Sequence, residues 1–256
     1  MEGVDPRRGS ATLKQAALAF LALGSLIGVF FVKPIPQDPA YHQFADQRTL
    51  LGTPHALNVA SNLPFLVVGL AALYNILAKR ELLLPEPEAR ILWLLLAVAV
   101  FLTGFGSAYY HWAPSDATLF WDRLPMAVGF SALLGIMVLE RVNGSLGRIL
   151  WAPLLLAGVG TLLYWRWGGD LRFYGLLQGW AIVLVPVILL LFPAPFRGTS
   201  WMALALGLYA LSKVLEHFDR PIYGALGVVS GHSLKHLAAA AGSGYLFVHL
   251  VRRRPL

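Results

Sequence analysis

Apolar windows of membrane-spanning length recur along almost the whole chain, and this pattern constrains the fold more than any other feature. Eight can be delimited: 15–32, 56–78, 91–112, 119–139, 149–164, 174–192, 200–217 and 227–250. Six of them approach or exceed the ~20 residues that carry an α-helix across a bilayer, and two are shorter. A bilayer interior offers no water to backbone amides, so spans of this kind close their hydrogen bonds internally as helices. The expected fold is all-α: a polytopic transmembrane bundle with connections too short for a separate soluble domain. Hydrophobic residues at 57% and a mean hydropathy of +0.65 agree, since a soluble domain of 256 residues rarely carries either.

The net charge of +7 could suggest nucleic acid, but its distribution argues against that. With the N-terminus inside, twelve Lys and Arg fall on cytoplasmic segments: Arg7, Arg8, Lys14, Lys79, Arg80, Arg90, Arg141, Arg148, Arg197, Arg252, Arg253 and Arg254. Six fall outside: Lys33, Arg48, Arg123, Arg166, Arg172 and Arg220. This is the positive-inside bias, with both termini cytoplasmic as an even number of spans requires. No basic, aromatic-interleaved soluble element is present to grip nucleic acid. Arg7, Arg8 and Lys14 before the first span resemble a signal peptide. The long apolar core and the lack of a small-x-small cleavage pattern before Lys33 favour a retained anchor.

Between the first two spans, residues 33–55 contain Pro34, Pro36, Pro39 and Pro54, and should fold across the outer mouth of the bundle. Leu82–Glu88 should form a loop broken by Pro85 and Pro87. Pro125 and Pro186 fall inside spans. Small residues (Gly104, Gly106, Gly158, Gly160, and Ala238 to Gly244 after His236) mark seams of close helix approach.

Against this apolar background, five polar residues share one depth. Ser107 and His111 are one turn apart near the outer end of the third span. Asp122 lies in the first turn of the fourth, and His232 and His236 are one turn apart at the start of the eighth. Ionisable groups in a membrane are costly and mark function by default. Three imidazoles and a carboxylate are the ligand types of an open zinc site. The chain has no cysteine, so zinc must be held by His, Asp or Glu. The reading is His111, His232 and His236 as metal ligands, Asp122 as general acid–base and Ser107 as oxyanion donor. His249 reads as an interface residue, His42 and His55 as ordinary polar residues of the outer loop. His217, with Glu216 and Asp219, is a candidate supporting group.

The segments GFGSAYYHWAPSDATLFWDRLPM and GHSLKHLAAAAG, with Asn58-x-x-Ser61-Asn62 and Leu124-Pro125-Met126, resemble the alkaline ceramidases. Their superfamily also holds the progestin and adiponectin receptors and the Per1-like proteins. The likeness covers residues 41–250 and seven spans. It implies a Ser-x-x-x-His, Asp, His-x-x-x-His motif at Ser107, His111, Asp122, His232 and His236, one Zn2+ per chain, and hydrolysis of the amide bond of ceramide or a related N-acyl lipid. Residues 1–40 form a tail and anchor outside that likeness, and 41–256 the hydrolase domain. The segment Tyr41–Arg48 carries one acid where the eukaryotic enzymes bind calcium with several, and His55 stands where they carry a glutamate, so calcium is not expected. The style of the chain is that of a bacterial inner-membrane protein with its site near the outer leaflet. A receptor-like member of the superfamily, a bis-histidine haem protein and an ion transporter are the competing classes. The first would want a sizeable cytoplasmic interaction domain. The haem reading leaves Ser107 and Asp122 unexplained, and a transporter would need polar residues through the inner half.

Overall fold

The computed structural model describes residues 6–78, 84, 86–193 and 195–254, with side chains from residue 11 onward. Ten helices account for most of the described residues, and no strand occurs among them. They are α1 (Pro6–Gly28), α2 (Ala56–Ala60), α3 (Leu63–Ala78), α4 (Pro87–Trp112), α5 (Asp116–Met137), α6 (Gly144–Gly168), α7 (Arg172–Leu191), α8 (Thr199–His217), α9 (Asp219–Leu226) and α10 (Gly231–Arg252). A π-helical turn, Val138–Val142, extends α5. The protein is an all-α polytopic bundle.

Six segments are long and apolar enough to cross a membrane: Ala11–Phe31, Ala56–Ala78, Pro87–Trp112, Asp116–Val142, Gly144–Gly168 and Arg172–Leu191. Helices α8 and α10, of 19 and 22 residues, reach spanning length but are diluted by polar groups. Those groups are Lys213 and Glu216 in α8, and His232, Lys235 and His236 in α10. They line the interior rather than the rim, which is how a bilayer tolerates them. The expected loop Leu82–Glu88, with Pro85, lies mostly outside the described residues, as do Lys79 and Arg80 and the side chains of Arg7 and Arg8. Pro193 and Pro195 flank the undescribed residue 194.

Helices α3, α4, α5, α7, α8 and α10 pack in that order into a closed ring, α10 returning to α3. All six line one interior cavity of ≈ 370 Å³. Helix α6 lies outside against α5, and α1 at the periphery against α7, where Trp180 Nε1 donates to Ser25 Oγ at 2.8 Å. Short helix α2 is wedged between α4 and α10.

One expected span is interrupted. The window 56–78 breaks at Ser61 and Asn62 into α2 and α3. Pro64 has no N–H to return to the Ala60 carbonyl, which ends the first ladder. The Ser61 hydroxyl and the Asn62 amide then both donate to the Asn58 carbonyl, at 3.0 and 2.8 Å, and hold the break. At the next junction, Ser115 starts α5 with a capping box: Ser115 Oγ accepts from Thr118 N at 3.2 Å, and Thr118 Oγ1 from Ser115 N at 3.1 Å. Pro125 and Pro186 lie inside helices as expected, and so does Pro153.

Candidate metal centre

Three connections set this site at one end of the ring. Helix α4 ends at Trp112 and α5 starts three residues after Ala113, so His111 and Asp122 stay near one turn of chain. Gly106 allows the two helices to touch there, because a Cβ at this position would overlap the Trp121 carbonyl. Gly231 does the same for α10 against the Leu215 carbonyl of α8. Ser230 caps α10 by accepting from Ser233 N at 3.1 Å, and Asp219 accepts from the His232 amide at 2.7 Å. These caps fix the start of α10, which bears His232 in its first turn and His236 in the next.

The three imidazoles converge. His111 Nε2 lies 3.2 Å from His236 Nε2 and 3.3 Å from His232 Nε2. The three side chains are 1, 5 and 5% exposed, and their ligand atoms all lie within 4.8 Å of one another. Phe44 closes the cluster from the loop 33–55, its ring 4.6 Å from that of His111 and 4.7 Å from that of His232. The loop 33–55 thus does fold over this end. It is tied down by Ala45 N donating to Asp219 at 2.9 Å and by Arg48 Nη2 donating to the Val228 carbonyl.

Proton counting supports a cation at the convergence. The Ser61 hydroxyl has one proton and gives it to the Asn58 carbonyl, so at 2.7 Å it accepts from His236 Nδ1–H. The Nε2 of His236 then carries a lone pair directed at His111. His111 Nε2–H can satisfy that one contact, but then it offers nothing to His232. Its own Nδ1, meanwhile, is buried without a partner. A single N–H shared between two contacts satisfies three facing nitrogens poorly, whereas a metal ion would accept all three lone pairs. The 3.2 and 3.3 Å separations from His111 fit: tetrahedral bonds of ~2.05 Å place ligand nitrogens about 3.3 Å apart. The three histidines can hold a metal ion.

The two remaining expected site residues lie beside the cluster. Ser107, 3% exposed, and Asp122 both line the cavity together with His236. Asp122 is not among the converging side chains. Past them the cavity walls become apolar, with Phe65, Leu96, Val100, Leu133 and Leu246. At the polar end Glu216 accepts from Lys213 at 2.8 Å, Lys235 at 2.5 Å and Tyr41 OH at 3.2 Å.

Several partners were not singled out from sequence. His55 was expected to be an ordinary loop residue, yet its Nδ1–H donates to the His111 carbonyl at 2.9 Å from a left-handed backbone (φ 46). His42 bridges Asp116 at 3.1 Å and the Tyr110 hydroxyl at 3.0 Å. Asn58 Oδ1 accepts from Ser233 at 2.7 Å and Ser230 at 3.3 Å, joining α2 to α10. Of the supporting group His217, Glu216 and Asp219, the two acids face the site region and His217 is exposed against Phe218. His249 is an interface residue: buried at the far end, it bonds the Gly198 carbonyl through Nδ1 at 3.0 Å.

Neither the protein-family models nor the curated proteins contain a match to this chain. What the geometry establishes is a membrane-type helical bundle with a buried three-histidine group able to hold a metal ion.

Proposed function

We propose that the protein is a zinc-dependent intramembrane amidohydrolase of the alkaline ceramidase type, cleaving ceramide or a related N-acyl lipid. The observation that carries this reading is the position of the three-histidine cluster. Through His236 it borders a cavity that is also lined by Ser107 and Asp122, with a charged and polar end and a long apolar stretch of wall. Such walls suit alkyl chains, and the polar end suits the amide they flank.

His111, His232 and His236 would hold the zinc. Zinc held by them would supply a Lewis acid able to polarise a carbonyl and acidify water. Asp122 takes the proton of the water that adds to the amide carbon, then gives it to the nitrogen as the C–N bond breaks. The products are a fatty acid and an amine. Ser107 donates to Asp122 while the latter is a carboxylate. Once Asp122 holds the proton, it becomes the donor of that pair, and the Ser107 proton is free to turn to the oxyanion. Phe44 covers the cluster and keeps bulk water from it.

The test is hydrolysis of a fluorescent N-acyl sphingoid lipid by purified, metal-loaded protein. Release of fatty acid and amine in equal amounts is expected. Protein carrying stoichiometric metal that cleaves no N-acyl lipid would overturn the reading.

A further inference from the structure

Next to Asp122, on the face of α5 turned toward α6 and α7, Arg123 is 8% exposed and lines the same cavity. Its guanidinium sits among three aromatic rings: Trp165 at 4.7 Å, Tyr41 at 5.3 Å and Tyr174 at 5.4 Å from the ring centroids. Rings of this kind stabilise a cation without neutralising it. No salt bridge to Arg123 occurs among the described residues, and its Nη1 is buried with no hydrogen-bond partner. The hydroxyl of Tyr209, also on the cavity wall, is likewise buried and unpartnered.

The other charges at this end do not supply the missing anion. Glu216 is shared by Lys213 and Lys235, and Asp122, the adjacent residue in sequence, forms no salt bridge with Arg123. The cavity is thus lined by three cations, Arg123, Lys213 and Lys235, against two carboxylates, Asp122 and Glu216. Tyr41 measures the distance across: its ring lies on Arg123 while its hydroxyl reaches Glu216. With one cation in excess and a buried guanidinium N–H group unused, such a cavity is costly until an acceptor arrives. Guanidinium is also the group best matched to planar or tetrahedral oxyanions.

We propose that the cavity selects an N-acyl lipid whose amine fragment carries an anionic group, a carboxylate, sulfonate or phosphate, and that Arg123 binds this group. The inference rests on the amidohydrolase reading for the position of the amide, at Ser107, Asp122 and His236. The acyl chain then follows the apolar wall, and the anion sits in the aromatic cage about Arg123, with Tyr209 as a further donor.

The test is binding, measured by calorimetry on the full chain in detergent. The probes are N-dodecanoylglycine, its uncharged methyl ester, N-dodecanoyltaurine and N-dodecanoylethanolamine phosphate. One charge-assisted hydrogen bond predicts about a tenfold or greater preference for the anions over the ester. The rank among the three anions identifies the oxyanion. Arg123→Gln should abolish the preference and leave ester binding within about twofold, while Arg123→Lys should keep part of it. Equal affinity for acid and ester in the native protein would overturn the proposal even where Arg123→Gln fails to fold. So would an undiminished preference in a folded Arg123→Gln. Cleavage is followed separately on the same lipids. Preferential binding without any cleavage would refute the hydrolase reading and leave the anion site standing. Cleavage of neutral and anionic lipids alike, with equal binding, would do the reverse.

Discussion

Ser61 Oγ lies 2.7 Å from His236 Nδ1 while its own proton is held by the Asn58 carbonyl at 3.0 Å. That pair fixes the tautomer of His236, so its Nε2 lone pair faces His111 before any metal arrives. Ser61→Ala leaves Nδ1–H with a poorer partner and the ring less firmly oriented. Loss of such an outer partner commonly weakens metal affinity by about 10–100-fold. Competition with a chelator of known zinc affinity measures it, and an unchanged affinity would remove Ser61 from the account.

The contact at Gly106 makes a different prediction. A methyl group there has to push α4 from the Trp121 carbonyl, and with it Ser107 and His111 from Asp122. Gly106→Ala should cost about 1–3 kcal/mol of stability, typical of overpacking, and lower turnover more than Gly160→Ala, whose Cβ would meet nothing within 4 Å. Thermal unfolding of both variants, compared with their turnover, checks this.

Within the proposed chemistry, Asp122 and Ser107 separate by role. Asp122→Asn should keep the metal and lose turnover by about 10²–10⁴-fold, because an amide cannot carry the proton. Ser107→Ala should also keep the metal and lower kcat more than it raises KM, since the oxyanion exists only past the ground state. Loss of metal in Asp122→Asn would make the aspartate a ligand.

Asp170, between α6 and α7, links the same end of the bundle to acid stability. It accepts from Arg172 Nε at 2.8 Å and from the Ile35 and Arg172 amides at 3.1 and 3.0 Å. Although burial opposes the shift, these bonds hold its carboxyl below the ordinary range. A group depressed on folding contributes stability above its unfolded pKa of ~3.9, and that contribution is lost as pH falls through the lower folded value. Unfolding temperature should therefore drop below about pH 4 in the native protein, and the drop should be smaller in Asp170→Asn. Parallel curves for the two proteins would contradict the assignment.

The bundle and the placement of five residues could be read from the chain because both depend on local period. Apolar windows define helices, and i, i+4 spacing puts Ser107 above His111 and His232 above His236. What could not be read depends on contacts between distant segments. The break at Ser61–Asn62 hides inside a continuous apolar run, betrayed only by Pro64. Phe44 is an unremarkable loop phenylalanine until residues 33–55 fold over the histidines. His55 carries no periodic signal, and Arg123 passes for a topology-setting surface charge until Tyr41, Trp165 and Tyr174 surround it. The extents of α8 and α10 were recoverable to within a few residues, because their polar groups fall on helical spacing within otherwise apolar stretches.

The central claim is that His111, His232 and His236 together hold one metal ion, and metal content tests it most directly. Elemental analysis of protein purified without chelator should give about one zinc per chain. His111→Ala, His232→Ala and His236→Ala should each reduce it to background, while His249→Ala, at the opposite end of the bundle, should leave it unchanged. Native protein with no stoichiometric transition metal, or metal that survives loss of any one of the three histidines, would contradict the account.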